Sequence, residues 1–184
     1  MFIAPIGTGA ISFAAAAADW NVSHGMLEFL NGWISAPIVV LGCILGGLLS
    51  DRLDRAFAYV AASLIMVAVT IAMALAPHTP AMYLTFVTAY TVTTGLTYGT
   101  YGGFVLDAAG TGAVATKYNI LASFANVPIW YMVRGDGFAY DRWHANGMLW
   151  FDALCGLGGC VLVSGLILWF RQRPAERVAT SLAS

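Results

Sequence analysis

The stretch GGLLSDRLDRAF, residues 46–57, sets four charges into the five positions 51–55 and is flanked on both sides by runs that carry none. Residues 31–50 lack any Asp, Glu, Lys or Arg, and so do residues 56–76. Each run is about as long as the ~20 residues a helix needs to cross a hydrocarbon core of about 30 Å. The stretch therefore reads as a tight polar connection between two membrane spans, and the rest of the chain is read outward from it.

The composition agrees with that reading. Charged residues are 9% and hydrophobic residues 60% of the 184 positions, whereas a soluble domain carries about 25% charged residues. Charge-free runs recur at 81–106 and 153–170. Shorter apolar stretches lie near the N-terminus and after Lys117. The fold class expected is all-α: a polytopic membrane protein of six transmembrane helices, spanning about 2–18, 27–50, 56–76, 81–106, 116–134 and 149–170, in one domain followed by a polar tail, 171–184. The breaks are punctuated by 19–25, 50–55, the proline pair Pro77 and Pro80, 107–112, and 134–147. Basic residues in short loops mark the cytoplasmic side. Arg52, Arg55, Lys117, Arg171, Arg173 and Arg177 fall on one side of this path, and Arg134 and Arg142 on the other. A multi-pass protein of the inner (cytoplasmic) membrane with both termini in the cytoplasm is expected.

Two motifs carry a family resemblance. Gly47-Leu48-Leu49-Ser50-Asp51-Arg52-Leu53-Asp54-Arg55 resembles the Gly-x-Leu-x-Asp-Arg-x-Gly-Arg loop between the second and third helices of each half of a major facilitator transporter. It matches at Gly47, Leu49, Asp51, Arg52 and Arg55, and has Asp54 where the family has glycine. Residues 112–143, with Ala115-Thr116-Lys117-Tyr118 and Leu121-Ala122-Ser123, look like the eleventh helix of muropeptide permeases and the related peptide–acetyl-CoA transporters. The resemblance implies the C-terminal six-helix half of such a transporter. Gly47, Asp51, Arg52 and Arg55 would form a conformational latch, with Asp51 against a helix N-terminus of the opposite half and the two arginines as its ion-pair partners. It also implies proton-coupled movement of a small or amphipathic solute.

The helix faces add candidates. Thr116, Asn119, Ser123, Asn126, Trp130 and Arg134 recur at helical spacing and form a polar stripe that is unfavourable against lipid. The stripe either hydrogen-bonds to other helices or lines a cavity, and Pro128 is expected to kink its helix. Gly95, Gly99 and Gly103 form a small-residue face suited to close helix packing. Asn31, Ser35, Gly42 and Gly46 form another seam. Tyr98 and Tyr101 are packing residues or solute contacts. Asp152, one turn inside its predicted span, is an interfacial acid or a proton-coupling group. Arg134, Asp136, Asp141 and Arg142 are expected to pair within an outer loop.

The leading function is half of a secondary transporter working by alternating access. Its solute cavity would be lined by Asn119, Ser123, Asn126, Trp130 and Arg134, with Tyr98 and Tyr101 opposite. Its partners would be the lipid bilayer, a small-molecule solute, and a second six-helix half, either a separate chain or another copy of itself. The alternative is a non-transporting scaffold or a truncated transporter, since Met1 is followed almost at once by a span. Cys43, Cys155 and Cys160 lack metal-ligand spacing, and His24, His78 and His144 are dispersed, so neither a metal nor a cofactor is expected. A net charge of −1 with no basic stripe argues against nucleic acid. The absence of His-Glu-x-x-His, Gly-x-Ser-x-Gly and phosphate-loop motifs argues against an enzyme.

Overall fold

The computed structural model describes residues 11 and 13–182, with side chains through Phe170, and is helical with no strand among the described residues. The helices are α1 (Phe13–Ala16), α2 (His24–Phe29), α3 (Ser35–Arg52), α4 (Arg55–Leu75), α5 (Pro80–Ala109), α6 (Val114–Ser123) and α7 (Asn126–Leu182), with a π-helical turn, Leu30–Ile34, joining α2 to α3. Three stretches, His24–Arg52, Arg55–Leu75 and Val114–Phe170, are long and apolar enough to cross a membrane. Of the first predicted span, residues 1–10 and 12 lie outside the described residues.

Local chemistry sets the helix starts. Asp54 caps α4, accepting the Phe57 N–H at 3.0 Å with an ordinary φ of −55°, so the position that is glycine in the resembling motif needs no glycine here. Thr79 caps α5 by accepting from Met82 at 3.3 Å, and Pro80 follows at the first helical position, where its missing N–H costs nothing. Pro37 has no N–H to give the Trp33 carbonyl. The preceding turn widens to the π form, with Ser35 N–H bonded to Leu30 O, as a proline inside a helix requires. Pro128 acts in the same way on the Phe124 carbonyl, and the helix breaks at Phe124–Ala125 between α6 and α7.

The largest departure from expectation is at 134–147, read from sequence as an outer loop. It is helical. The chain reverses at Trp143 (φ −135°, ψ 15°) and His144 (φ 56°, ψ −159°), inside α7. The two limbs, 126–142 and 145–182, then lie side by side. Gly135 abuts the Phe151 ring, and a methyl group at Gly147 would lie 3.1 Å from the Ala139 carbonyl oxygen. Asp19 caps the restart: its Oδ2 accepts the Ala145 N–H at 2.9 Å, placing an acid at the positive end of a helix. Tyr140 and Tyr83 hydroxyls donate to the Ala15 and Phe13 carbonyls at 2.7 and 2.9 Å. The α7 backbone stays helical to Leu182, into the stretch read as a polar tail.

Around this hairpin sit two cores. The larger gathers Trp20, Met66, Met73, Tyr83, Tyr90, Met148 and Leu149, and the smaller joins Tyr59, Tyr101, Val105 and Ala125 at the charged end. The two small-residue faces read separately from the sequence meet each other. Gly42 lies on Gly95 and Gly46 on Gly99, with Ser50 against Gly103. An added Cβ at Gly42 or Gly46 would collide with the Val92 or Leu96 carbonyl and lie 2.9 or 3.0 Å from the facing glycine Cα. Backbones in such contact leave no room for a side chain.

The seam makes opposite predictions for two alanine substitutions. Gly95→Ala is expected to lower stability by about 1–3 kcal/mol through overpacking. Gly158→Ala, where nothing lies within 4 Å, should leave stability unchanged or raise it by up to about 1 kcal/mol. Thermal unfolding of both variants in one detergent checks this, and an equal effect would overturn the seam.

Candidate functional site

The polar stripe lies on one exposed face. Thr116, Asn119, Ser123, Asn126, Trp130 and Arg134 are all exposed, while Ala125, Pro128, Met132, Asp136 and Ala139 on the other side are buried. Part of the stripe's polarity serves the α6–α7 break: Ser123 Oγ donates to the Asn119 carbonyl at 2.7 Å and Asn126 Nδ2 to the Ser123 carbonyl at 3.1 Å. These bonds satisfy carbonyls near the interruption. Towards the 143–144 end, the Arg134 guanidinium lies 4.4 Å over the Trp130 ring. Cation–π contact of that kind is worth about 0.5–1 kcal/mol at an exposed site. It fixes the arginine over a ring that is itself 60% exposed. Between α5 and α6 a cavity of 650 Å³ opens beside Gly102, Gly103, Leu106, Tyr118 and Asn119.

The tyrosines do not join this face together. Tyr98 is exposed on the α3 side, near Cys43. Tyr101 is 5% exposed; its ring sits 5.5 Å from that of Tyr59 and its hydroxyl donates to the Leu121 carbonyl at 3.4 Å. Tyr101 is therefore a core residue on the wall of an apolar 490 Å³ cavity that also includes Phe104, Val163 and Phe170. The expectation that both tyrosines face the polar stripe is corrected accordingly.

At the α3–α4 connection Asp51 and Arg52 are exposed and Gly47 is half-buried with open space beside it. Arg55 does not pair with Asp51. Its Nη1 lies 2.8 Å from Asp107 Oδ1, at the C-terminal end of α5, because Asp54 directs the start of α4 towards that end. Among the described residues this is the one ion pair formed, and at side-chain exposures of 33% and 61% it contributes at most about 1 kcal/mol.

Two acids stand elsewhere than expected. Asp152 is 1% exposed, and its helix begins at 145, which lays it about 10 Å along the axis. Asp136 is 3% exposed, not a member of a loop cluster, while Arg134, Asp141 and Arg142 remain exposed. The signal that betrays Asp136 is periodic: positions 125, 128, 132, 136 and 139 are buried at helical spacing. The described residues contain no group of His, Cys, Asp and Glu that could hold a metal ion.

Comparison with family models, curated proteins and solved structures found no match to this chain.

Single cysteines placed on this helix in a cysteine-free background test the two faces. Those at 119, 123, 126 and 130 should react with a membrane-impermeant maleimide in proteoliposomes at least ten times faster than those at 125, 132 and 139. Equal protection on both faces would show that the stripe meets lipid or another helix, not water.

Proposed function

We propose that this chain is one six-span half of a secondary active transporter, resembling the C-terminal half of a major facilitator protein, and that its polar stripe is one wall of the solute cavity. One observation carries the reading: exposed polar residues of α6 and the first limb of α7, ending in an arginine set on an indole, lie in a chain that holds three stretches apolar enough to cross a membrane. Polar groups facing hydrocarbon are costly, so that face requires water or protein against it. A single half has only one such wall. Binding at the interface between two halves, with alternating exposure to either side, follows from that arrangement. The second half is a separate chain or another copy of this one.

In this reading the chain crosses the inner membrane six times. The connection carrying Asp51 and Arg52 lies in the cytoplasm beside the Arg55–Asp107 pair. Asp51, exposed at the C-terminal end of α3, is free to reach the opposite half and hold the cytoplasmic side closed. A latch needs to bias two states by only a few kcal/mol. Arg134, an exposed cation over an aromatic face, favours a solute that combines a carboxylate or phosphate with a flat or sugar-like ring. The second reading, a non-transporting scaffold, is favoured by the bonds Ser123 and Asn126 give to backbone carbonyls, because these occupy stripe donors without any solute.

Uptake into proteoliposomes separates the two. This chain, alone and with a candidate partner half, is tested against anionic peptidoglycan fragments and siderophores. Transport is expected only with both walls present. Arg134→Ala should weaken solute affinity about 10- to 100-fold, the equivalent of about 1.5–3 kcal/mol for a charge-assisted hydrogen bond. Asp51→Asn should slow turnover while leaving affinity unchanged. No uptake with any partner, together with unaltered folding, would favour the scaffold.

A further inference from the structure

The α7 reversal brings together two carboxyl groups that sequence spacing keeps apart. Gly135 on the Phe151 ring sets the register, and Asp136 of one limb and Asp152 of the other enter the same interior, 3% and 1% exposed. Tyr90 of α5 donates its hydroxyl to Asp152 Oδ2 at 3.5 Å and receives the Ile11 N–H. The Thr70 hydroxyl of α4 lies beside Asp152 and gives its proton to the Met66 carbonyl at 3.0 Å. Both oxygens of Asp136 and Oδ1 of Asp152 have no hydrogen-bond partner among the described residues. The titratable groups facing this pair are Tyr90 on α5 and Cys155 on the second limb, and neither is a cation. The ion pair Arg55–Asp107 stands at the far end of α4 and α5.

Two negative charges of this kind are not stable together. An ionised carboxylate without a counter-charge or hydrogen bonds is expensive to bury, and two in one site oppose each other. Some positive charge must therefore join them. Divalent hard cations take about six to eight oxygen ligands, more than two carboxyls and two hydroxyls provide. A single proton needs only one unpartnered oxygen, and Asp136 presents two.

We propose that Asp136 and Asp152 form a proton-binding pair, in which Asp136 gains and loses the proton and Asp152, held by Tyr90, is its fixed neighbour. On loading, one O–H bond forms on Asp136 and one negative charge disappears; on release that bond breaks, the proton returns to water and the charge reappears on Asp136. Use of this site to couple transport rests on the transporter reading above, but the binding of the proton does not.

The test uses the full chain in lipid nanodiscs, without solute or partner. Infrared difference spectra between acidic and alkaline buffer should show a protonated carboxyl C=O band that disappears as pH rises. Asp136→Asn should abolish that band, Asp136→Glu should retain it at a shifted frequency, and Tyr90→Phe should move the pH at which it is lost. In the wild-type chain, carbodiimide labelling mapped to the Asp136 peptide should follow the same pH profile, which keeps the proposal open to test should the Asn variant misfold. A band absent at acidic pH, a band unchanged in Asp136→Asn, or one abolished at fixed pH by adding sodium chloride would overturn it, the last by showing a cation site. Lost uptake with the band intact counts against the transporter reading alone.

Discussion

A polar atom surrounded by hydrocarbon must find its partner within the protein, and most of this structure follows from that constraint. Hydroxyls are the simplest case. Ser35, Ser63, Thr70, Thr85, Thr91, Thr94, Thr97 and Ser123 each donate to the carbonyl four residues back in their own helix. A threonine-rich helix such as α5 can thereby present apolar methyls to its neighbours. The same constraint sharpens the exceptions. Where the backbone ladder is interrupted at Phe124–Ala125, the Asn126 side chain donates to the Ser123 carbonyl. Where carboxyl oxygens are enclosed without partners, as on Asp136, burial disfavours their charge. Where a polar face remains uncovered, it asks for water or another chain.

These exceptions are spatially ordered. The Arg55–Asp107 pair and the exposed Asp51 share one end of α4 and α5. The N-terminal segment, the α7 reversal and the larger core share the other, joined by the Asp19 cap on Ala145 and the Tyr83 and Tyr140 hydroxyls. The enclosed carboxyls lie between these ends, and the stripe runs on the outer face of the same limb that carries Asp136. Two residues of one helical turn, Arg134 and Asp136, therefore look in different directions: one towards the exposed surface, the other into the core.

Much of this was legible in the residues. Uncharged runs bounded by the charged cluster at 51–55 and the prolines Pro77 and Pro80 placed α4 and α5 to within a few positions. The stripe and both glycine faces were visible in their spacing. Which faces would meet was not, since a run of small residues indicates that something packs there without saying what. The helical extent of the two α7 limbs was missed for a definite physical reason. The reversal between them uses His144 at positive φ instead of glycine, and the charges Arg134, Asp136, Asp141 and Arg142 imitate a solvated loop. The helical period of Met132, Asp136 and Ala139 beneath those charges was the better guide. Tyr101 left two readings open because a phenol on a helix reads alike whether its hydroxyl faces solute or, as here, the Leu121 carbonyl.

The backbone contact of α3 with α5 has a mechanical corollary. With no side chains between Gly42 and Gly95 or between Gly46 and Gly99, there are no rotamers to reset, so the two helices behave as a single beam under load. Rocking of the bundle has to be absorbed by softer joints, and the proline-weakened interruption beneath Ser123 and Asn126 is one such joint. Flexure there would tilt the part of the stripe that carries Asn126, Trp130 and Arg134 against the part on α6.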